Sequence, residues 1–296
     1  MASGAATPTP AASLSTPDDI ASSVVDLVGD GDTDDGEGAA HESAWFDFGP
    51  QPRVPTLTRP MNNALPLAEM SIVTDAVQCS RRDNTRVFVD LKPVEIEING
   101  TAMKRLQFGG WLQDDHINGY MYLLNRAGPV NRLLAFSSFF MVKLMVDGGG
   151  YSYAGVRRWT KKVDIFAYAH LAIPYNVSRS HWVLLHIDND AKKVCCYDSY
   201  GGCHKREIGA LIRYLQDEFS ARHPGKRARY YTSTPDGNGK PVRRQPSQGR
   251  NATECGVFLC AAARHILRGD DLAYGMNEIR VFRSCITLEL LERRIR

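Results

Sequence analysis

The chain has no apolar run approaching the ~20 residues a membrane-spanning helix needs, so no membrane insertion is expected. Its start lacks the basic opening and apolar centre of a secretory signal. Its seven cysteines fall in no repeated CxxC pairs, so neither a zinc site nor a disulfide framework is indicated. Reduced thiols are therefore expected, and with them the nucleus or the cytoplasm. One lack is local: residues 1–50 hold no Lys or Arg, against ten Asp and Glu. The rest of the chain then carries +13, although the whole chain is only +3. An acidic tail on a basic body suggests contact between the two, or a body that meets acidic partners. No zinc finger, RRM or basic-helix pattern points to nucleic acid, and no specific nucleic-acid binding is expected.

At 296 residues the chain has room for one large domain or two small ones. Residues 1–66 are rich in Ala, Ser, Thr, Pro, Asp and Gly, without sustained periodicity, and read as a disordered acidic tail. Two apolar islets interrupt it. Val24-Val25-Asp26-Leu27-Val28, followed by an acidic run, suits strand addition to another protein's sheet edge. The alternative is a chance apolar cluster. Trp45-Phe46-Asp47-Phe48 is an anchor, either for the body or for a partner. Residues 67–296 read as one folded domain.

Within that domain Glu95-Ile96-Glu97-Ile98 alternates and ends in Asn99-Gly100, a hairpin signal, with Met103–Phe108 as the return strand. Ile117, Met121 and Leu124 have helical spacing, and Asn131–Val146 contains a second buried helix around Phe139-Phe140 and Leu144. Val156–Trp159 reads as a short basic-faced helix. Ile165–Pro174, Trp182–Asp188 and Val194–Asp198 read as strands, the last two antiparallel across the turn Asp188-Asn189-Asp190. Glu207–Phe219 and Glu278–Ile295 are helical, and Arg227–Thr232 is a strand.

The chemistry centres on Gln248–Cys260, QGRNATECGVFLC. A polar loop carries Gln248 and Asn251, and an apolar helix runs from Cys255 to about Leu267, stopped by Gly269. A cysteine at a helix start meets free backbone N–H groups and the positive end of the dipole, which favour a thiolate. A glutamine shortly before it can supply an amide to an oxyanion. For a lone Cys-Gly the alternative is a buried core cysteine. His181 precedes one strand and Asp198 ends the next, so the two can lie side by side at one end of a sheet. A carboxylate there holds the imidazole by one nitrogen and leaves the other for a nucleophile. His, Asp and Cys in this order are the parts of a cysteine acyl-transfer enzyme.

The residues Trp111-Leu112-Gln113-Asp114-Asp115-His116-Ile117-Asn118, Ser138-Phe139-Phe140, Gly155–Trp159, Ser180-His181-Trp182, Tyr197-Asp198-Ser199 and Glu254-Cys255-Gly256 carry a specific resemblance. The chain resembles the SUMO/sentrin-specific cysteine proteases, the ubiquitin-like-protein protease family of the adenovirus-protease-like clan, over roughly residues 67–296. The resemblance implies an α+β fold of the papain-like type, with a small, mainly antiparallel sheet packed against helices. It implies His181 as general base, Asp198 as its orienter and Cys255 as nucleophile, with Gln248 and the Cys255 N–H binding the oxyanion. Trp111 and Trp182 match the tryptophans that cover the Gly-Gly tail of the modifier, Asp114 faces the modifier's basic residues, and Gly256 of the Cys-Gly block is counted with them as substrate-binding. Only glycines are thin enough for a channel roofed by indoles. The Val24–Val28 islet looks like a SUMO-interacting motif.

Two departures stand out. Gln248 lies seven residues before Cys255, where these proteases usually have six, and Gln248-Gly249-Arg250-Asn251 is closer to the adenovirus type. Glu254 replaces the commoner aspartate. The implied activity is hydrolysis after the C-terminal Gly-Gly of SUMO, in deconjugation, precursor maturation or both, without a cofactor and as a monomer. The alternatives are the same chemistry on another ubiquitin-like modifier, or a viral or effector-type protease cutting Gly-Gly-X sites in ordinary proteins. A body that only binds modifier is a third reading, disfavoured by the intact His181, Asp198 and Cys255.

Overall fold

The structure, a computed structural model, describes Trp45, Phe46, Met61 and residues 63–146, 150–227, 231–233 and 246–296. A five-stranded sheet positions the site. Its order is β3 (Leu133–Ala135), β4 (His170–Val177), β5 (His181–Asp188), β6 (Lys193–Tyr197) and β7 (Thr232–Ser233). The three central strands are antiparallel, and the short outer strands β3 and β7 pair parallel to them. β4 and β5 are the strands expected around residues 165–174 and 182–188, with β4 starting five residues later because Ile165–Ala167 forms a 3-10 turn. The turn from β4 to β5 places Ser178 and Arg179 at φ 52° and 56°, the left-handed conformation a tight right-twisted hairpin needs.

A second, two-stranded sheet corrects the hairpin reading. β2 (Ile96–Asn99) alternates buried and exposed as its sequence predicts, but it pairs with β1 (Val87–Leu91), which precedes it. The expected return strand is absent, and α2 (Gly100–Arg105) stands there instead. The Asn99 side chain accepts from the Ala102 N–H at 3.0 Å, so Asn-Gly serves here as a helix cap rather than a hairpin turn. A Cβ on Gly100 would lie 2.1 Å from the Asp83 carbonyl, which leaves room only for glycine.

Helices pack on the sheets: α1 (Leu67–Arg82), α3 (Asp114–Asn125), α4 (Phe139–Leu144), α5 (Lys205–Arg222), α6 (Cys255–Arg268) and α7 (Met276–Glu292). Val156–Trp159 forms successive turns, with Val156 and Trp159 buried, not the helix expected. α6 is buried almost all round, as its unbroken apolar sequence demands, and packs on β5, α3 and α7. Gly269, at φ 76°, ends it in the left-handed cap that glycine adopts without strain. No helix among the described residues is long and apolar enough to cross a membrane.

The folded body begins ahead of Leu67. Trp45 is 2% exposed, and its indole N–H donates to the Ala135 carbonyl at 3.0 Å. Its ring meets Tyr122 edge-on, and Phe46 does the same to Phe136. Met61 and Leu65 are buried as well. This moves the Trp45-Phe46 part of the stretch read as tail into the body, for a simple reason: two aromatic rings cover apolar surface that α3 and β3 would otherwise expose. The Val24–Val28 islet lies outside the described residues.

Candidate active site

His181 opens β5 and Asp198 immediately follows β6. The register pairs Leu184 with Tyr197, so the two ends meet at one edge of the sheet. There the His181 Nε2 lies 2.6 Å from Asp198 Oδ1. Tyr200 stacks on the imidazole at 4.8 Å, and its hydroxyl donates to the Asn251 carbonyl at 2.8 Å. The sheet edge is thereby tied to the loop ahead of α6.

Cys255 is the first residue of α6 and is 5% exposed. Its thiol interacts with His181 and helps to raise the pKa of the ring, and with Nε2 taken by Asp198 the nitrogen left for it is Nδ1. Burial pushes the His181 pKa down, but the bonds to Asp198 and Cys255 outweigh it and raise the value to about 9. Burial likewise pushes Asp198 up, but hydrogen bonds from His181, His204 and the Tyr200 N–H hold it well below the usual carboxylate range. An ionised carboxylate, an imidazole that favours its charged form and a thiol at a helix N-terminus suit formation of a thiolate–imidazolium pair.

The loop before Cys255 is shaped by Asn251, whose Oδ1 accepts the N–H groups of Thr253 and Glu254 at 2.8 and 3.0 Å. Gln248, 1% exposed, is fixed at both ends of its amide. Its Oε1 accepts from the Ser199 hydroxyl and its Nε2 donates to the Asn251 carbonyl. The second Nε2–H remains for another acceptor. The longer spacing from Gln248 to Cys255 is thus absorbed in a loop pinned to the turn after Asp198. Gly256 is required by contact: a Cβ there would lie 2.9 Å from Leu112 Cβ. This close approach brings α6 against the segment that carries Trp111.

A cleft leads to Cys255 between Trp111, Leu112, Asp114, Arg179 and Trp182. The tryptophans are not equivalent. Trp182 is 5% exposed and donates its indole N–H to the Leu112 carbonyl at 2.8 Å, so it is part of the wall. Trp111 is 46% exposed and stands at the rim. Asp114, at the start of α3, accepts from the Ser138 hydroxyl at 2.8 Å. His116 of the same block is a structural residue. Its Nδ1 accepts the Gln113 N–H, its Nε2 donates to the Ala102 carbonyl, and burial lowers its pKa to about 4.

Sequence reasoning missed three contributors. Tyr200, which stacks on His181, is two residues beyond Asp198, and nothing in its spacing marks it. Arg283 of α7 ion-pairs with Glu254, and nothing in its own neighbourhood of the chain marks it. His204 bonds the second oxygen of Asp198 at 2.7 Å. A histidine six residues after the aspartate was the available signal.

Comparison with known proteins gives the family. Residues 110–276 match the family described as Ulp1 protease family, C-terminal catalytic domain. Putative ubiquitin-like-specific protease 1B of Arabidopsis thaliana is 28% identical over 236 residues, 76% of this chain and 66% of that protein. Sentrin-specific protease 2 of Homo sapiens is 32% identical over 189 residues, 62% of this chain and 30% of that protein. The chain therefore spans less than two thirds of these curated relatives. Two solved structures share the fold. The C-terminal Ulp1 protease domain in complex with Smt3, the yeast ortholog of SUMO, has a TM-score of 0.63 at 24% identity, covering 80% of this chain and all of that one. The Chaetomium thermophilum Ulp1-like SUMO protease catalytic domain has 0.64 at 22%, covering 82% and 95%. The matched segment contains His181, Asp198, Gln248 and Cys255, and by it the chain belongs to the Ulp1 protease family.

Proposed function

We propose that the protein is a cysteine peptidase that cleaves after the C-terminal Gly-Gly of SUMO or a close ubiquitin-like modifier, at precursor peptide bonds and at isopeptide links to lysine. The observation that carries the reading is His181 held between Asp198 and Cys255 at the inner end of a cleft walled by Trp182 and rimmed by Trp111. Cys255, as thiolate, attacks the carbonyl of the terminal glycine. The second N–H of the Gln248 amide and the Cys255 backbone N–H receive the charge on the oxygen. His181 passes its proton to the leaving amine, and a thioester remains on Cys255. His181 then takes a proton from water, whose oxygen attacks the thioester carbonyl; the C–S bond breaks, the acid product leaves, and Cys255 returns to its thiolate beside the protonated His181. Asp198 keeps the imidazole in its tautomer throughout.

Specificity follows from the walls. The wall and rim indoles leave space for a chain without side chains, and Asp114 offers a negative charge to basic residues of the modifier. Named relatives include sentrin-specific proteases and a protease domain bound to a SUMO ortholog, which favours SUMO over other modifiers. The working unit is the body, including Trp45 and Phe46, acting as a monomer in the nucleus or the cytoplasm. The acidic tail ahead of it carries Val24–Val28 as a second, weak SUMO contact. A panel of modifiers bearing C-terminal electrophiles tests the reading. Covalent capture of a SUMO probe by Cys255, and not of ubiquitin or a Nedd-type modifier, is expected. Capture of none would overturn it.

A further inference from the structure

Asp198 is held on both oxygens. Oδ1 faces His181 Nε2 at 2.6 Å and Oδ2 faces His204 Nε2 at 2.7 Å. Each oxygen also accepts a backbone N–H, from Tyr200 at 2.7 Å and from Gly202 at 2.9 Å. An ionised carboxylate only accepts, so both histidines present an N–H to it. The other nitrogen of His204, Nδ1, stands 4.0 Å from Glu207 Oε2. A line of alternating groups thus runs Cys255, His181, Asp198, His204, Glu207.

The local chain is arranged around the His204 contact. The side chain is 12% exposed, although both neighbours in sequence are exposed. Its backbone sits at φ 44°, a conformation that costs an L residue other than glycine strain. Gly202 makes room: a Cβ there would lie 2.4 Å from Asp198 Oδ2 and 2.7 Å from His204 Nε2. A small residue and a strained one together let this bond form.

We propose that His204 is a positioning residue of the reaction. It holds the Asp198 carboxylate in the one rotation that aims Oδ1 at His181 Nε2, and so keeps Nδ1 of His181 turned to Cys255. Without the His204 N–H, Oδ2 keeps only the Gly202 N–H of these two donors, so the carboxylate is held less firmly about its Cβ–Cγ bond and the imidazole is aligned less tightly. The inference rests on Cys255 being the nucleophile under Proposed function.

The test uses the full chain with His204→Ala and His204→Gln, each in the wild-type and the Asp198→Ala background. Two readouts are taken: iodoacetamide alkylation of Cys255, followed residue by residue by mass spectrometry, and kcat and KM on a SUMO precursor. His204→Ala is expected to slow alkylation and kcat by about tenfold or more, the scale of a misplaced catalytic group, with KM little changed. His204→Gln, which keeps an N–H donor, recovers most of the loss. In the Asp198→Ala background His204→Ala has no further effect, because residues acting as one unit are not additive. Wild-type rates in His204→Ala, or an equal loss in both backgrounds, would overturn the proposal. Should the alanine variant not fold, His204→Met, which fills the space without a donor, replaces it against His204→Gln under the same criteria. If no modifier is cut by the wild type, the functional reading falls, while the alkylation rates still decide the role of His204.

Discussion

Arg283 and Glu254 form an ion pair of 2.7 Å, buried on both sides, one residue ahead of Cys255. The guanidinium is fully used. Nε and Nη2 donate to Glu254 Oε2, Nη1 to the carbonyls of Arg105 and Gln107, and Nη2 also to that of Gly110. Glu254 Oε1 accepts the Gly109 N–H at 3.0 Å. The pair fastens the loop leading to Trp111 onto the start of the helix that carries Cys255.

Replacing one partner strands the other. Glu254→Gln leaves a buried guanidinium without its counter-charge and is expected to cost about 3–5 kcal/mol, read as a lower urea midpoint. Glu254→Asp keeps the charge with a shorter reach and should lose much less. An unshifted midpoint in Glu254→Gln would show that the pair holds nothing in place.

Cys255→Ser removes the thiolate and almost no volume. It should abolish turnover while the fold and modifier binding stay intact. Cys260, further along α6, is buried and its thiol is pushed up by that burial, so it is unreactive near neutral pH. Cys260→Ser should retain activity with at most a loss of stability. Measured turnover and thermal melts of the two variants separate these outcomes, and an essential Cys260 with a dispensable Cys255 would reverse the assignment.

The His181 value of about 9 sets a pH limit. The imidazolium persists through neutral pH and is lost above about 9, so kcat/KM should fall on an alkaline limb there. Its folded value lies above the ordinary 6.5, so its contribution to stability is complete below 6.5 and disappears as pH rises through about 9. Asp198 works oppositely. Its depressed value gives stability that is present above the ordinary 3.8 and lost only in stronger acid. Asp198→Asn should move the alkaline limb down towards 6.5, with a loss of at least ~10²-fold in the chemical step. A pH–rate profile of both proteins checks this, and superimposable profiles would remove Asp198 from the reaction.

The two tryptophans should separate. Trp182→Ala opens a wall and is expected to lower stability by about 3–5 kcal/mol as well as activity. Trp111→Ala, at the rim, should lower activity with little change in melting temperature. Wild type should reject modifiers ending in Ala-Gly or Gly-Ala. Cleavage of those tails as fast as Gly-Gly would point to a broader protease.

The N-terminal segment divides at its aromatic pair. Trp45→Ala should destabilise the body by about 3–5 kcal/mol, since it empties a buried site and removes one of the two hydrogen bonds that the Ala135 carbonyl accepts, leaving that of Asn125. Alanines at Val24, Val25, Leu27 and Val28 should leave precursor maturation unchanged and slow disassembly of SUMO chains, where a second contact raises effective concentration. Equal rates on chain substrates would assign the islet another use.

Much of the site was legible because it is local or periodic. The helix headed by Cys255 announces itself by an unbroken apolar run, and the strands after His181 and before Asp198 by their short, mostly apolar runs and the turn between them. That these two residues meet follows from one hairpin's length, and the order of the motif blocks carried the family. Asn99-Gly100 was misread because the same two residues satisfy a helix cap and a hairpin turn, and only the position of Asp83 and of β1 selects between them. Trp45, Gln248 and Arg283 draw their places from partners 90, 49 and 29 residues away. Such contacts leave no period in the chain. His204 acquires its partner through a left-handed turn and a glycine two residues before it, a backbone choice that sequence spacing does not encode. Local propensity decided the elements; burial of charge, indole and imidazole across distant segments decided how the site is held.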